Sequence, residues 1–205
     1  MRTVTKDYKT AIDVLEKGGT VALPTDTAYC LAADIYIDRA VRRVFEVKGR
    51  PLDKPLPIFL ASKDELMSVA CDIPEIAWRL ADAFWPGGLT VILIKRPSLS
   101  TLATAGGNKL AVRVPNHYVP LDVINLIKAP ITGTSANLSG QSSPITASEV
   151  YGQIGNQVDM IVDGGRCPKA ELSTIVDLTE GIPKILRDGA ITRNQIEEVC
   201  KLSLG

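Results

Sequence analysis

The chain has 205 residues, 45% of them hydrophobic, and no apolar run near the roughly 18 residues of a membrane span, so it reads as a soluble globular protein able to bury about 70% of its unfolded surface. Lys plus Arg equals Asp plus Glu at 23 each, which excludes a global field drawing it onto nucleic acid or an anionic bilayer and leaves recognition to local clusters. Cys30, Cys71, Cys167 and Cys200 are widely spaced among apolar residues with no C-x-x-C pair, a pattern of reduced thiols rather than of a disulfide framework or zinc site. Residues 1–7 lack the apolar core of a signal peptide, so the expectation is a cytoplasmic protein.

Tyr8, Ala11, Ile12 and Leu15 share one helical face, and Gly18 and Gly19 supply the left-handed end that helix needs. Residues 20–23 read as a strand closed by Pro24. Thr25, Asp26, Thr27 and Tyr29 then make a loop too polar for a core, ahead of a second apolar run over 30–33. Asp38 is placed to cap a helix whose Ala40, Val41, Val44 and Phe45 form the buried stripe. That helix delivers the chain into Lys48-Gly49-Arg50-Pro51-Leu52-Asp53-Lys54-Pro55-Leu56-Pro57, three cations within seven residues on a backbone stiffened by three prolines. Preorganised cations suit phosphate, although a solvated basic turn leaving a helix has the same composition.

Residues 56–60 read as a buried strand, and Ser62 with Glu65 forms a capping box opening the next helix. Pro74 starts another, with Ile76, Ala77, Leu80, Ala81 and Phe84 at helical spacing, which Trp85-Pro86-Gly87-Gly88 ends ahead of a strand over 89–94. Residues 97–108 are a long Ser/Thr/Gly-rich connection of the kind that serves as a lid. Alternation over 110–115 puts Arg113 on the face opposite Leu110, Val112 and Val114, where it needs a partner. A short helix over 121–127 precedes a strand over 131–134, which runs into Ser135-Ala136-Asn137-Leu138-Ser139-Gly140 and Ser142-Ser143-Pro144. Thr146 with Glu149 is a second capping box, strands over 160–162 and 173–178 flank a Gly-rich turn, and a last strand over 184–186 carries Arg187 at its end. Thr192 with Gln195 caps a terminal helix through Ile196 and Val199.

Helices and strands interleave without a repeat or a dividing linker, so the expectation is one α/β domain over residues 1–205. The strands over 173–178 and 184–186 follow each other closely, which allows antiparallel pairing and favours a mixed parallel/antiparallel sheet with flanking helices.

The polar residues at strand ends are Thr25, Thr27, Lys48, Arg50, Lys54, Arg113, Ser135, Asn137, Ser143, Ser173, Thr174 and Arg187. Guanidinium forks with hydroxyls beyond strand ends are equipment for phosphate and carboxylate, and ordinary turn chemistry is the plain alternative for each Ser or Thr. His117 is the sole histidine and reads as a turn residue. No G-x-S-x-G elbow, Walker A loop, G-x-G-x-x-G or paired carboxylates accompany it, and no metal ligands are assigned.

Pro24-Thr25-Asp26-Thr27-Ala28-Tyr29, Lys48-Gly49-Arg50-Pro51 with Lys54-Pro55-Leu56, Phe84-Trp85-Pro86-Gly87, Val112-Arg113-Val114-Pro115, Ser135-Ala136-Asn137-Leu138-Ser139-Gly140, Ser173-Thr174-Ile175-Val176-Asp177 and Leu186-Arg187 together resemble the ordered motifs of the YrdC-like threonylcarbamoyl-AMP synthases, in their single-domain form. The resemblance implies a twisted mixed sheet with a positively charged concavity. It also implies a nucleotidyltransferase that forms threonylcarbamoyl-adenylate and pyrophosphate from ATP, L-threonine and bicarbonate, with Mg²⁺ brought by the nucleotide and the product passed to tRNA-modification partner proteins. Carried over position by position, Arg50, Lys54, Ser135, Asn137, Ser143 and Arg187 resemble the ATP contacts and Thr27, Arg113 and Ser173 the threonine contacts, with Lys48 and Arg50 as the catalytic pair. Cys30 and Ala32 depart from the family's usual glycines, and Leu172 from a usual proline.

The competing expectation is a non-catalytic double-stranded RNA or tRNA-binding module using the same cations. Two Trp, five Tyr and three Phe leave it few stacking platforms. A phosphoryl transferase, releasing ADP in place of pyrophosphate, is the third.

Overall fold

The computed structural model of the chain describes residues 3–168 and 172–202; residues 1–2 of the N-terminal stretch and 169–171 ahead of Ser173 lie outside them. In chain order the first elements are β1 (Thr3–Thr5), α1 (Thr10–Glu16), β2 (Val21–Leu23), β3 (Cys30–Ala32) and α2 (Asp38–Lys48). Next come β4 (Ile58–Phe59), a 3-10 turn (Lys63–Glu65) running into α3 (Leu66–Val69), β5 (Ala70–Cys71), α4 (Glu75–Phe84), β6 (Leu89–Lys95) and β7 (Lys109–Arg113). The chain continues with α5 (Tyr118–Ile127), β8 (Ile131–Thr132), β9 (Thr134–Ser135), α6 (Ala147–Ile154), β10 (Met160–Val162), β11 (Thr174–Asp177), β12 (Lys184–Arg187) and α7 (Arg193–Cys200). The short strands β1 and β5 are additions to the elements legible from hydrophobic pattern.

The strands divide between two mixed sheets rather than one. The first has five strands in the order β1-β10-β2-β3-β9, and the second seven along β12-β11-β6-β7-β4-β8, with β5 also on β6. β11 runs parallel to β6 while β12 returns antiparallel to β11, as the short connection between them requires. All three residues of β2 are buried, and they alternate between two apolar clusters. Val21 and Leu23 join Leu15 of α1 and Val123 of α5, while Ala22 joins the larger core with Val44 of α2, Leu80 of α4, and Val91 and Val112 of the second sheet. A strand covered on both faces reads as a continuous apolar run, which is what residues 21–23 show.

Helix ends follow local chemistry, with some corrections. α1 ends at Gly18, at φ +74°, whose N–H donates to the Leu15 carbonyl. Asp38 does not cap α2: Ile37 is the N-cap, and Asp38 lies in the first turn, where its charge favours the helix dipole. The helix closes on Gly49, at φ +57°, with the Arg50 N–H donating to the Phe45 carbonyl. His117 proves to be an N-cap, its Nδ1 accepting from the Val119 N–H, so α5 starts at Tyr118 rather than at 121. Thr192 and Gln195 form a complete capping box. At Thr146 and Ser62 the acid reaches back one residue further, Glu149 to the Ile145 N–H and Glu65 to the Ala61 N–H.

Residues 97–108 are anchored to the core at several points. Leu99 and Ala103 are buried, the Lys95 ammonium donates to the Leu99 carbonyl, and the Leu56 N–H donates to the Ala103 carbonyl at 2.7 Å. The segment thereby braces the cationic loop after α2.

Candidate active site

The floor of a cavity between the two sheets is one row across the second sheet. Arg187 on β12 pairs with Ile175 on β11, Ile175 with Thr90 on β6, and Phe59 on β4 with Arg113 on β7. β6 and β7 are antiparallel, so one step beyond the Val91 and Val112 pair brings Thr90 opposite Arg113. Residues paired across strands share a face, and Arg187, Ile175, Thr90, Arg113 and Phe59 all line the same cavity of about 270 Å³. The first sheet supplies the facing wall through Cys30 of β3 and Thr134 and Ser135 of β9, with Thr27 and Ser143 from the loops.

Arg113 is buried, and its Nη2 donates to Asp26 Oδ2 at 2.6 Å, which identifies the partner its place in the strand demands. Its Nε donates to the Gly87 carbonyl at 2.8 Å, and the guanidinium carbon lies 5.8 Å from the centroid of the Phe59 ring. Burial lowers its pKa against the opposing pull of Asp26. Asp26 is aimed by a turn in which Thr25 Oγ1 accepts from the Thr27 N–H, donates to the Ala28 carbonyl at 2.6 Å and meets Thr27 Oγ1 at 3.1 Å. Asp26 Oδ1 is buried without a protein partner. Arg187 donates from Nε and Nη2 to the Ser173 carbonyl and from Nη2 to Ser173 Oγ, and burial followed by the charge of Arg113 lowers its pKa.

A second cavity of about 190 Å³ adjoins the first and shares Arg50 and Ser135 with it; Lys48, Lys54, Asn137 and Gly140 line the rest. Lys54 is exposed. Arg50 spends Nε and Nη2 on the carbonyls of Lys54 and Pro55, so the guanidinium holds its own loop in shape, and burial lowers its pKa. Lys48 does not project from the loop as its sequence setting suggests. It is 2% exposed, and its ammonium donates to the Ser135 carbonyl and to the carbonyl and Oδ1 of Asn137. Burial, with Arg50 as the lesser cause, brings its pKa down to about 8. Asn137 Oδ1 also accepts from Ser135 Oγ at 2.5 Å, and its Nδ2 donates to the Gln141 carbonyl, which closes the serine-rich turn around the lysine.

The structure thus gathers Thr27, Arg50, Arg113, Ser135, Ser143, Ser173 and Arg187 around one cavity and Lys48, Lys54 and Asn137 around its neighbour. Pattern reading passed over Thr90 and Phe59, and it named Asp26 in the polar loop without giving it a role. Thr90 left one trace, a hydroxyl inside the otherwise apolar run of β6. Cys30 lines the cavity as a buried thiol, its pKa pushed up to about 12 by desolvation and secondarily by Cys167, so it acts as an apolar wall.

The Sua5/YciO/YrdC family model, described as telomere recombination, matches residues 13–189. A threonylcarbamoyl-AMP synthase of Pyrococcus abyssi is 42% identical over 189 residues, 92% of this chain and 56% of that protein. One of Bacillus subtilis is 40% identical over 190 residues, 92% of this chain and 55% of that protein. The crystal structure of P. abyssi Sua5 complexed with L-threonine superposes with a TM-score of 0.92 at 40% identity, covering 96% of this chain and 58% of that one. The chain therefore spans just over half the length of these relatives. A family model that takes in both cavities and nearly every element of the two sheets leaves one assignment: the chain belongs to the Sua5/YciO/YrdC family.

Proposed function

We propose that the chain is an L-threonylcarbamoyladenylate synthase, converting ATP, L-threonine and bicarbonate into threonylcarbamoyl-AMP and pyrophosphate. The observation that carries the reading is the pair of adjoining cavities joined through Arg50 and Ser135, one floored by Arg113 and Arg187 and the other walled by Lys48 and Lys54. Two anions brought together need that arrangement. The threonine amine and bicarbonate give a carbamate with loss of water. One carbamate oxygen then bonds to the α-phosphorus as the bond to the leaving pyrophosphate breaks, so the protein's work is positioning and charge neutralisation.

In this reading Thr27, Arg113 and Ser173 hold threonine. Arg50, Lys54, Ser135, Asn137, Ser143 and Arg187 hold the nucleotide, and Lys48 fixes the Ser135 to Asn137 turn against the cationic loop. Among the described residues no three His, Cys, Asp or Glu side chains gather as a metal cage, so the Mg²⁺ proposed here rides on the triphosphate and water, where it neutralises phosphate charge. The names of the Pyrococcus and Bacillus relatives support the reaction, and the threonine complex of P. abyssi Sua5 supports the amino acid. We place the reaction in tRNA threonylcarbamoyladenosine formation in the cytoplasm, with the adenylate handed to partner proteins. No helix among the described residues is long and apolar enough to cross a membrane.

The test is pyrophosphate release from ATP and Mg²⁺ with L-threonine and bicarbonate each added and omitted, and serine as control. Release that needs both substrates is the expected outcome. Nucleotide turnover to ADP, or RNA binding with a steep salt slope and no turnover, would replace the reading.

A further inference from the structure

Thr90 lies at the centre of the cavity floor, opposite Arg113, and is 3% exposed. Its Oγ1 is 2.8 Å from Ser173 Oγ, which also accepts from Arg187 Nη2 at 3.0 Å. Two hydroxyls carry two protons, and one lies between them. The other has no protein acceptor among the described residues, and both hydroxyls line the same cavity. One O–H is therefore left for whatever fills the cavity, and it meets an acceptor only if the occupant presents an oxygen there.

Arg187 decides which hydroxyl supplies it. A cation donating to Ser173 Oγ polarises that hydroxyl and makes its proton the stronger donor. The stronger donor goes to the stronger acceptor, an anionic oxygen held by Arg113. Thr90 is then the donor within the pair: with Arg187 it fills both lone pairs of Ser173 Oγ and fixes the one direction left to the Ser173 proton. Resting on the synthase reading, we propose that Thr90 is a positioning residue, which locks the Ser173 hydroxyl as a donor to a carboxylate oxygen of threonine.

The experiment is calorimetric titration of the full chain with L-threonine, alongside kcat and KM for pyrophosphate release, for Thr90→Val, Thr90→Ser and Ser173→Ala, and for Thr90→Val combined with Ser173→Ala. Valine keeps the shape and removes the donor. It should raise the threonine Kd and KM about 3- to 10-fold, the size of one hydrogen bond, while leaving the ATP Kd within about 2-fold. Serine restores the hydroxyl and should return the threonine Kd to within about 2-fold. In the Ser173→Ala background Thr90→Val should add nothing, because its effect passes through Ser173. An unchanged threonine Kd in Thr90→Val, no rescue by serine, or an undiminished effect in the Ser173→Ala background overturns the proposal while the synthase reading stands. If the unaltered chain itself binds no threonine, the reading fails and the role of Thr90 fails with it.

Discussion

Lys48 is the residue whose setting differs most from what its neighbours in sequence suggest. It ends α2 one residue before the left-handed turn at Gly49, so the side chain turns inward while Arg50 and Lys54 go out with the loop. Its ammonium meets three acceptors on the Ser135 to Asn137 turn, and its own carbonyl accepts from the Ser139 N–H at 2.8 Å. The position is a clamp, and its replacement has a larger structural cost than that of Arg50. Lys48→Ala leaves buried acceptors unmet and should lower unfolding free energy by about 2 kcal/mol, whereas Arg50→Ala, at a partly buried position, should cost less than about 1 kcal/mol; both should lose product formation. Urea melts of the two variants decide this, and equal midpoints would return Lys48 to the status of a surface cation. The pKa of about 8 carries a sign of its own. The folded state holds this proton less firmly than the unfolded chain does, so the residue's contribution to stability grows as pH rises from about 8 towards the ordinary lysine value of 10.5.

At the scale of elements, the strand expected over 131–134 is two strands in different sheets. β8 pairs with β4 in the second sheet and β9 with β3 in the first, and Gly133 between them is the corner. A Cβ there would stand 2.3 Å from the Phe59 ring, and the Gly133 N–H donates to the Pro57 carbonyl, so backbone and ring approach more closely than any side chain permits. Gly133→Ala must push Phe59 out from beside Arg113. It should destabilise the fold by about 1–3 kcal/mol and weaken threonine binding several-fold, with Phe59→Leu in the same background recovering part of the stability. Stability and threonine affinity both unchanged would mean that the corner accommodates the methyl by a backbone shift. What was legible here is what is local: the capping box at Thr192 and Gln195 and the glycine end of α1 are each decided within a few residues. The corner was hidden because the feature that demands a glycine is Phe59, far away in sequence, and Thr90 was hidden because its partner Ser173 is 83 residues away.

For the whole molecule, hydrophobic pattern revealed that strands and helices interleave but not that the strands form two sheets, since pairing is settled by contacts such as β1 with β10 that join residues more than 150 positions apart. The site residues were legible as types, Arg, Lys and hydroxyls at strand ends, and as ordered motifs. The cross-strand row that sets Arg113 and Arg187 on the floor of one cavity was not. That row belongs to one sheet and the facing wall to the other, with Ala22, Leu31, Val91 and Val112 in a single apolar core between them. A ligand filling the cavity touches both sheets, so its binding energy opposes their separation. If residues 1–205 unfold as one unit, heating gives one transition by every probe, and ATP with threonine at about 100 times their Kd adds roughly 2.7 kcal/mol per ligand and moves that transition up by about 10–20 °C with both bound. Calorimetry with and without ligands measures it. Two transitions, of which ligands move only one, would mean that the sheets unfold separately and that the cavity is an interface between two independent units rather than the interior seam of one.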